Sequence, residues 1–249
     1  SQWQHTLQGP EQHLRLGLRI IQGLSRNGAE RVHQNRPANG YQSAAELRTR
    51  AGLNQSDMEL LAGANAMPGF TRNRHQAYWQ LLEHEEPAEL FANEAMTEYT
   101  PEPCHLLPEP TEGQNVLADY SSQGLTLQRH PLALLREQGH LRHCLTADQL
   151  KATRPGIPVQ VAGLVTGRQR PGTASGVTFV TLEDETGNVN VVVWLDTARR
   201  QRKPLLTARL LHVKGVIEKE GDIVHVMAGK LSDLSHLINS LPVSSRDFH

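Results

Sequence analysis

Between residues 157 and 230 apolar and polar positions alternate with period two, in short runs broken by glycine-containing turns. Val177, Phe179 and Thr181 share one phase, and Val189, Val191 and Val193 repeat the pattern a few residues on. Glu183–Asn188 and Glu218–Asp222 read as tight turns in which Gly187 and Gly221 supply a positive φ. About five strands result, with a helical interval over Asp196–Lys203 between the third and the fourth.

Upstream the period changes to that of helices. In residues 14–36, Leu16, Ile20 and Ile21 mark one helical face, Gly23-Leu24-Ser25 breaks it, and Ala29 and Val32 point a second helix inward until Arg36-Pro37. Ser43 and Glu46, then Ser56 and Glu59, have capping-box spacing and open helices over 43–50 and 56–63. A turn at 66–70 and a last helix over Thr71–Glu83 complete two helix-turn-helix units in series. Pro131 followed by Leu132, Leu134 and Leu135, then 146–150, read as short helices leading into the strands. The expected fold class is α+β and multidomain: tandem helix-hairpin-helix over 1–83, an acidic Pro-rich linker over 84–120, a helical connector over 121–155, a barrel over 156–240 and a tail over 241–249. Three strands, a helix and two strands is the order of an OB-fold, a five-stranded Greek-key barrel that binds single strands or sugars.

Charge changes the picture of what such a chain binds. The net charge of −1 argues against nucleic acid, but its distribution does not. Residues 14–79 hold nine Arg against four acids, residues 80–120 ten acids and no Lys or Arg, and residues 121–249 sixteen basic against eleven acidic residues. Arg outnumbers Lys twenty to five, which suits phosphate. The five prolines between 87 and 110 and the surrounding acids favour an extended or disordered linker. Two cysteines, Cys104 and Cys144, make no disulfide framework and point to a reducing, cytosolic compartment. No apolar run approaches a membrane span and no signal peptide opens the chain; the missing initiator Met suggests a fragment or processed chain.

Candidate binding residues follow from these elements. Ile21 to Ser25 with Ala29 has the form of a hairpin that offers backbone N–H groups at a helix N-terminus to a phosphate, although Ser25 stands where a second glycine is usual. Gly23, Leu24, Ser25, Arg26, Gly28 and Arg31 form this first candidate set, with a structural αα-hairpin as the alternative. Arg72 and Arg74, beyond a weaker second hairpin, could reach phosphate or simply be solvated. On the barrel the candidates are Arg168, Arg170 and Lys214, the cluster Arg199, Arg200 and Arg202, and the aromatics Phe179 and Trp194 for base stacking. Phe179 also suits the core of so small a barrel, and the Arg cluster also suits a solvated helix. His140, His143 and Cys144, even with Cys104-His105, match no common zinc spacing, so no metal site is expected. No nucleophile elbow, phosphate-cradling loop or metal-binding Asp pair is found, and no catalytic residue is assigned.

Four blocks in order, LRLGLRIIQGLSRNGAERV, ELLAGANAMPGFTRNRHQAYWQL, LADYSSQGLTLQRHPLALLR and GLVTGRQRPGTASGVTFVTLEDETGNVNVVVW, resemble the C-terminal part of bacterial C-family DNA polymerases, most nearly the error-prone ImuC-type paralogue. The resemblance implies a DNA-binding and partner-docking region of a translesion, damage-induced polymerase, working in the bacterial cytoplasm at the nucleoid. Its Mg2+-holding palm would lie upstream, so no cofactor belongs to this chain. It further implies duplex DNA held over 23–29 and less surely 63–74, and single-stranded template near 157–230. Replicative members carry a sliding-clamp peptide where this chain has Pro87–Asn93, with Leu90-Phe91 but no leading Gln. Direct clamp binding is therefore expected to be weak, with an ImuB-type partner, and an ImuA-type protein beside it, providing the tether. A protein-interaction module with little DNA binding of its own is the alternative; a stand-alone OB-fold for RNA or sugar would not explain the upstream blocks.

Overall fold

In the computed structural model, residues 1–82, 108–172, 176–221, 223–239 and 241 are described. They form two units, Ser1–Thr126 and Leu127–His249.

Unit 1 opens with a two-stranded ribbon, β1 (Thr6–Gln8) against β2 (His13–Arg15), and a 3-10 turn over Leu18–Ile20. Four helices follow: α1 (Arg26–Gln34), α2 (Ala44–Ala51), α3 (Gln55–Gly63) and α4 (Arg74–Leu82). The expected helix over 14–22 is thus replaced by strand and 3-10 turn. Gly17, within that stretch, lies too close to the backbone of Trp3 and Gln4 for any side chain. Ser43 caps α2 as expected, its hydroxyl accepting the Glu46 N–H. The cap of α3 is Asn54, not Ser56: its side chain accepts the Asp57 N–H at 2.7 Å, two residues earlier than the capping box suggested. Thr71 donates its hydroxyl to the Met67 carbonyl and stays outside α4, which begins at Arg74. Leu24, Ala29, Leu47, Met58, Leu61 and Met67 are among the side chains closing the core.

The span expected as a linker is helical at its C-terminal end. Helix α5 (Glu112–Gln123) has a full capping box, Thr111 with Gln114, and buries Val116 and Asp119 within unit 1. The capping box and one buried stripe outweigh the acidic, proline-rich average of the window. Residues 83–107, which include Leu90, Phe91 and Cys104, lie outside the described residues.

Unit 2 begins with α6 (Pro131–Glu137) and α7 (Ala147–Ala152) and then closes a barrel. Its strands are β3 (Pro158–Gln169), β4 (Thr178–Asp184), β5 (Gly187–Val193), β6 (Leu210–Glu220) and β7 (Ile223–Asp233), in the order β3-β4-β5-β7-β6 and back to β3. All neighbours are antiparallel except β5 with β7. This is the OB-fold connectivity, strand-strand-strand-helix-strand-strand. Val161, Val180, Leu182, Val191, Val213, Ile217 and Val226 fill the interior. The β4–β5 turn is tightened by Asp184, whose carboxylate accepts the Thr186 and Gly187 N–H groups and, from α7, that of Ala147.

The expected helix over Asp196–Lys203 is two short ones, α8 (Leu195–Arg200) and α9 (Arg202–Thr207), broken at Gln201. Pro204 has no N–H to return to residue 200, so the ladder stops there. A terminal helix α10 (Ser235–Asn239) follows β7.

Candidate nucleic-acid interface

The first hairpin is built as expected, but its anion site is already filled. Gly23 has φ +82, which turns the chain before α1, and Leu24 is buried beneath it. Ser25 caps α1 by accepting the Gly28 N–H at 3.0 Å. Its own N–H and hydroxyl donate to the two oxygens of Asp57, at 3.1 and 2.7 Å. Asp57 is 3% exposed, so a carboxylate from α3 sits where the helix dipole favours an anion. Gly28 is required by this contact: a Cβ there would lie 2.6 Å from both Asp57 Oδ2 and Ser25 Oγ. Arg31 donates to the Ala51 and Gly52 carbonyls and closes the C-terminus of α2. Arg26 is exposed and pairs with Glu30 at 2.8 Å. Leu24, Ser25, Gly28 and Arg31 are therefore engaged in holding the hairpin together. Asp57, thirty-two residues from Ser25, was not singled out by the sequence pattern.

The second hairpin separates its two arginines. Arg74 is 4% exposed and spends its guanidinium on the Gly63 carbonyl (2.7 Å), Asn115 Oδ1 (3.0 Å) and Asp119 Oδ1 (2.6 Å). The other Asp119 oxygen takes the Thr126 hydroxyl. Arg74 is a latch between α4 and α5, which corrects its expected role as a phosphate ligand. Arg72 stays exposed, with no ion pair among the described residues.

On the barrel, the residue alternation of β4 turns Val180 and Leu182 inward and Phe179 outward, where it is 37% exposed. Phe179 is not core. Valine and leucine fill most of the interior instead. Phe179 stands opposite Val192 on β5, and Val192 stands beside Met227 on β7. Trp194 follows β5 directly and is 56% exposed. An apolar row, Phe179 and Met227 on either side of the buried Val192, thus crosses the outer face of β4, β5 and β7, with the exposed Trp194 two residues beyond Val192. Thr181, Asn190 and His225 form the next row, a polar edge able to hydrogen-bond bases.

The basic candidates divide. Arg168 lies at the end of β3, but its guanidinium donates to the Leu205 and Ala208 carbonyls and braces the end of α9. Burial there lowers its pKa, partly offset by Asp233. Arg168 thus braces α9 while remaining exposed. Arg170, Arg199, Arg200 and Arg202 are exposed, the last three on both sides of the α8–α9 break rather than on one helix face. Lys214 is exposed on β6, opposite Lys230 on β7 and Gln160 on β3. Lys230 and His212 were not among the sequence candidates. Cys144 is buried, which raises its pKa against the opposing effect of Arg136 and Lys214. Among the described residues no three His, Cys, Asp or Glu side chains come together as a metal site.

The helix-hairpin-helix motif family matches residues 1–77, and the family described as OB-fold nucleic acid binding domain matches residues 159–234. The whole chain aligns with the error-prone DNA polymerase of Pseudomonas paraeruginosa at 48% identity, over 24% of that protein. The error-prone DNA polymerase of Idiomarina loihiensis is 48% identical over 96% of this chain and 22% of its own length. Over its whole length the chain is similar to the C-terminal region of error-prone DNA polymerases. It spans about a quarter of the length of those relatives. Among solved structures, asparaginyl-tRNA synthetase from Pyrococcus horikoshii is similar over 36% of this chain and 23% of its own, at 22% identity and a TM-score of 0.32. No helix among the described residues is long and apolar enough to cross a membrane.

Proposed function

We propose that this chain is the non-catalytic DNA-binding region of a translesion DNA polymerase, and that its barrel carries the single-stranded template. The observation that carries the reading is the outer row of Phe179, Val192 and Met227 with Trp194 beside it, bordered by exposed cations. Aromatic faces accept any base by stacking, and a positive border holds the backbone, which together give binding without sequence preference. In unit 1 the anion position of the first hairpin is taken by Asp57 and the second-hairpin Arg74 by Asp119, so duplex contact rests on side chains such as Arg26 and Arg72 and is the weaker of the two.

The metal-dependent nucleotidyl transfer of such a polymerase needs carboxylates that hold Mg2+, and that chemistry belongs to a palm outside this chain. Damage-induced expression, action at the bacterial nucleoid, tethering through an ImuB-type partner with an ImuA-type protein, and only indirect contact with the sliding clamp complete the reading. The near-neutral total charge and the internally neutralised hairpin favour a docking role alongside DNA binding. The test is fluorescence anisotropy of labelled single-stranded and primed DNA with wild type and Phe179→Ala/Trp194→Ala. Loss of about 1–3 kcal/mol per stacked base, on single strands first, is expected. Binding of primed duplex alone, unchanged in the variant, would move the contact off the barrel. No DNA binding at low salt would leave a docking module.

A further inference from the structure

The rows on the barrel's outer face continue beyond the stacking residues. In register, Phe179, Val192, Met227 and Val216 form one apolar row across β4, β5, β7 and β6. One outward step along β6, about 7 Å from Val216, stands Lys214. Its neighbour on β7 is Lys230, and its neighbour on β3 is Gln160, whose Oε1 lies 3.2 Å from His212 Nε2 as an acceptor.

Lys230 faces outward only because β7 carries an irregularity there. Ala228 is buried inside the barrel, and strict alternation would aim Gly229 out and Lys230 in. The register shifts between Lys214 and Gly215, so that Lys214 pairs with Lys230 while Gly215 pairs with Ala228, and Gly229 is the extra residue. A bulge of this kind re-aims one side chain, and here it sets two ammonium groups side by side. Like charges on directly opposite residues are unfavourable. Neither lysine has an ion pair among the described residues. Burial, then Lys214 and Lys230, lower the pKa of the neighbouring His212. The nearest carboxylates along these strands are turned to other tasks: Asp233 holds Ser235, and Glu218 stands opposite His225 beyond the apolar row.

The band extends to one side. Gln201, at the α8–α9 break, donates to the Gly229 carbonyl at 2.9 Å and accepts the Leu231 N–H at 2.7 Å, bracketing Lys230. Arg200 and Arg202 flank Gln201 in the chain and are exposed.

We propose that Lys214 and Lys230, with Arg200 and Arg202 beyond them, form the track on which the phosphodiester backbone of the single strand lies, while its bases rest on the adjacent apolar row. The inference rests on the reading of the barrel as a single-strand site, and it assigns phosphate to the β6–β7 side and bases to the Phe179 row. An oligonucleotide matches this pairing of a charged band with an apolar one, since each repeat carries one anion and one flat apolar face.

The experiment is anisotropy of a labelled oligothymidylate with the full chain across a salt series. Lys214→Ala/Lys230→Ala is expected to lower the slope of log K against log salt by about 1.4, because each single-strand phosphate contact contributes about 0.7. At about 0.1 M salt that is roughly a 25-fold loss of affinity. Lys214→Arg/Lys230→Arg is expected to keep the slope. Phe179→Ala/Trp194→Ala, which removes two stacking rings, is expected to weaken binding roughly 30-fold or more with the slope unchanged. An unchanged slope in the Lys-to-Ala variant, while the aromatic variant still loses affinity, would overturn the track and leave the single-strand site standing. Failure of wild type to bind the oligonucleotide would overturn both. A lysine-pair variant that loses only a polyglutamate probe would make the band an acidic-protein surface and overturn the phosphate assignment.

Discussion

Replacing Asp119 by Ala tests whether α5 is part of unit 1 or the end of a linker. The Arg74 and Asp119 side chains are 5% and 10% exposed and meet at 2.6 Å. Removing the carboxylate leaves a guanidinium out of water with its remaining partners, Gly63 O, Asn115 Oδ1 and Asn115 O, all neutral. Breaking a buried pair from one side typically costs about 3–5 kcal/mol, because the surviving charge keeps its desolvation penalty without its partner. The Thr126 hydroxyl also loses its acceptor, which adds to that figure rather than offsetting it. For a unit of this size, each kcal/mol lowers the midpoint by roughly 2–8 °C, so a fall of about 10 °C or more is expected in scanning calorimetry of the full chain. Arg74→Met/Asp119→Leu is expected to be less destabilising than Asp119→Ala alone, since it removes both charges, although Gly63 O and Asn115 lose a donor. Under folded conditions the double variant is expected to bind single-stranded and primed DNA as wild type does. A loss below about 1 kcal/mol in Asp119→Ala would show that α5 is not latched. A folded double variant that binds DNA more weakly would return Arg74 to the interface.

Asp57→Asn leaves one of the Ser25 donors facing an amide N–H in a buried site and is expected to cost about 1–3 kcal/mol by chemical denaturation. It also removes the negative charge at the N-terminus of α1, so duplex binding by the surviving folded protein is expected to tighten; unchanged stability would refute the internal-anion account. Acid is expected to destabilise unit 2. Burial lowers the pKa of His130 against the opposing pull of Glu183, Glu185 and Asp184, and burial with Lys214 and Lys230 lowers that of His212. With folded values below the ordinary one of about 6.5, the unfolded chain takes up these protons first, so stability is complete above that pH and declines as pH falls through it. His130 Nδ1 accepts the Leu132 N–H as the cap of α6, so a proton there also removes the cap. His130→Asn keeps a capping oxygen and is expected to flatten the decline measured by urea titration between about pH 7 and pH 5; an undiminished decline would refute the assignment.

What could be read from the chain follows the range of the forces involved. The barrel strands were legible because alternation is local and the apolar core it builds is entirely Val, Leu, Ile and Ala. The same alternation contained the outward phase of Phe179, one step from Val180, and only the expectation of a large inward ring obscured it. Helix α5 was written as Thr111–Gln114, a four-residue capping signal, but the acids and prolines around it dominated the composition. The long-range pairs had no local signature. Nothing near Ser25 announces Asp57, and nothing near Arg74 announces Asp119, forty-five residues on. An arginine beside a hairpin reads alike whether it meets a phosphate or a buried carboxylate, and only the tertiary partner decides. Lys230 lies between these cases. A strand pattern assigns it inward, yet Gly229 just before it is the kind of residue that marks a bulge. One extra residue reverses the face of every side chain that follows, so in this barrel the position of a single glycine determines whether the second lysine of the pair reaches solvent at all.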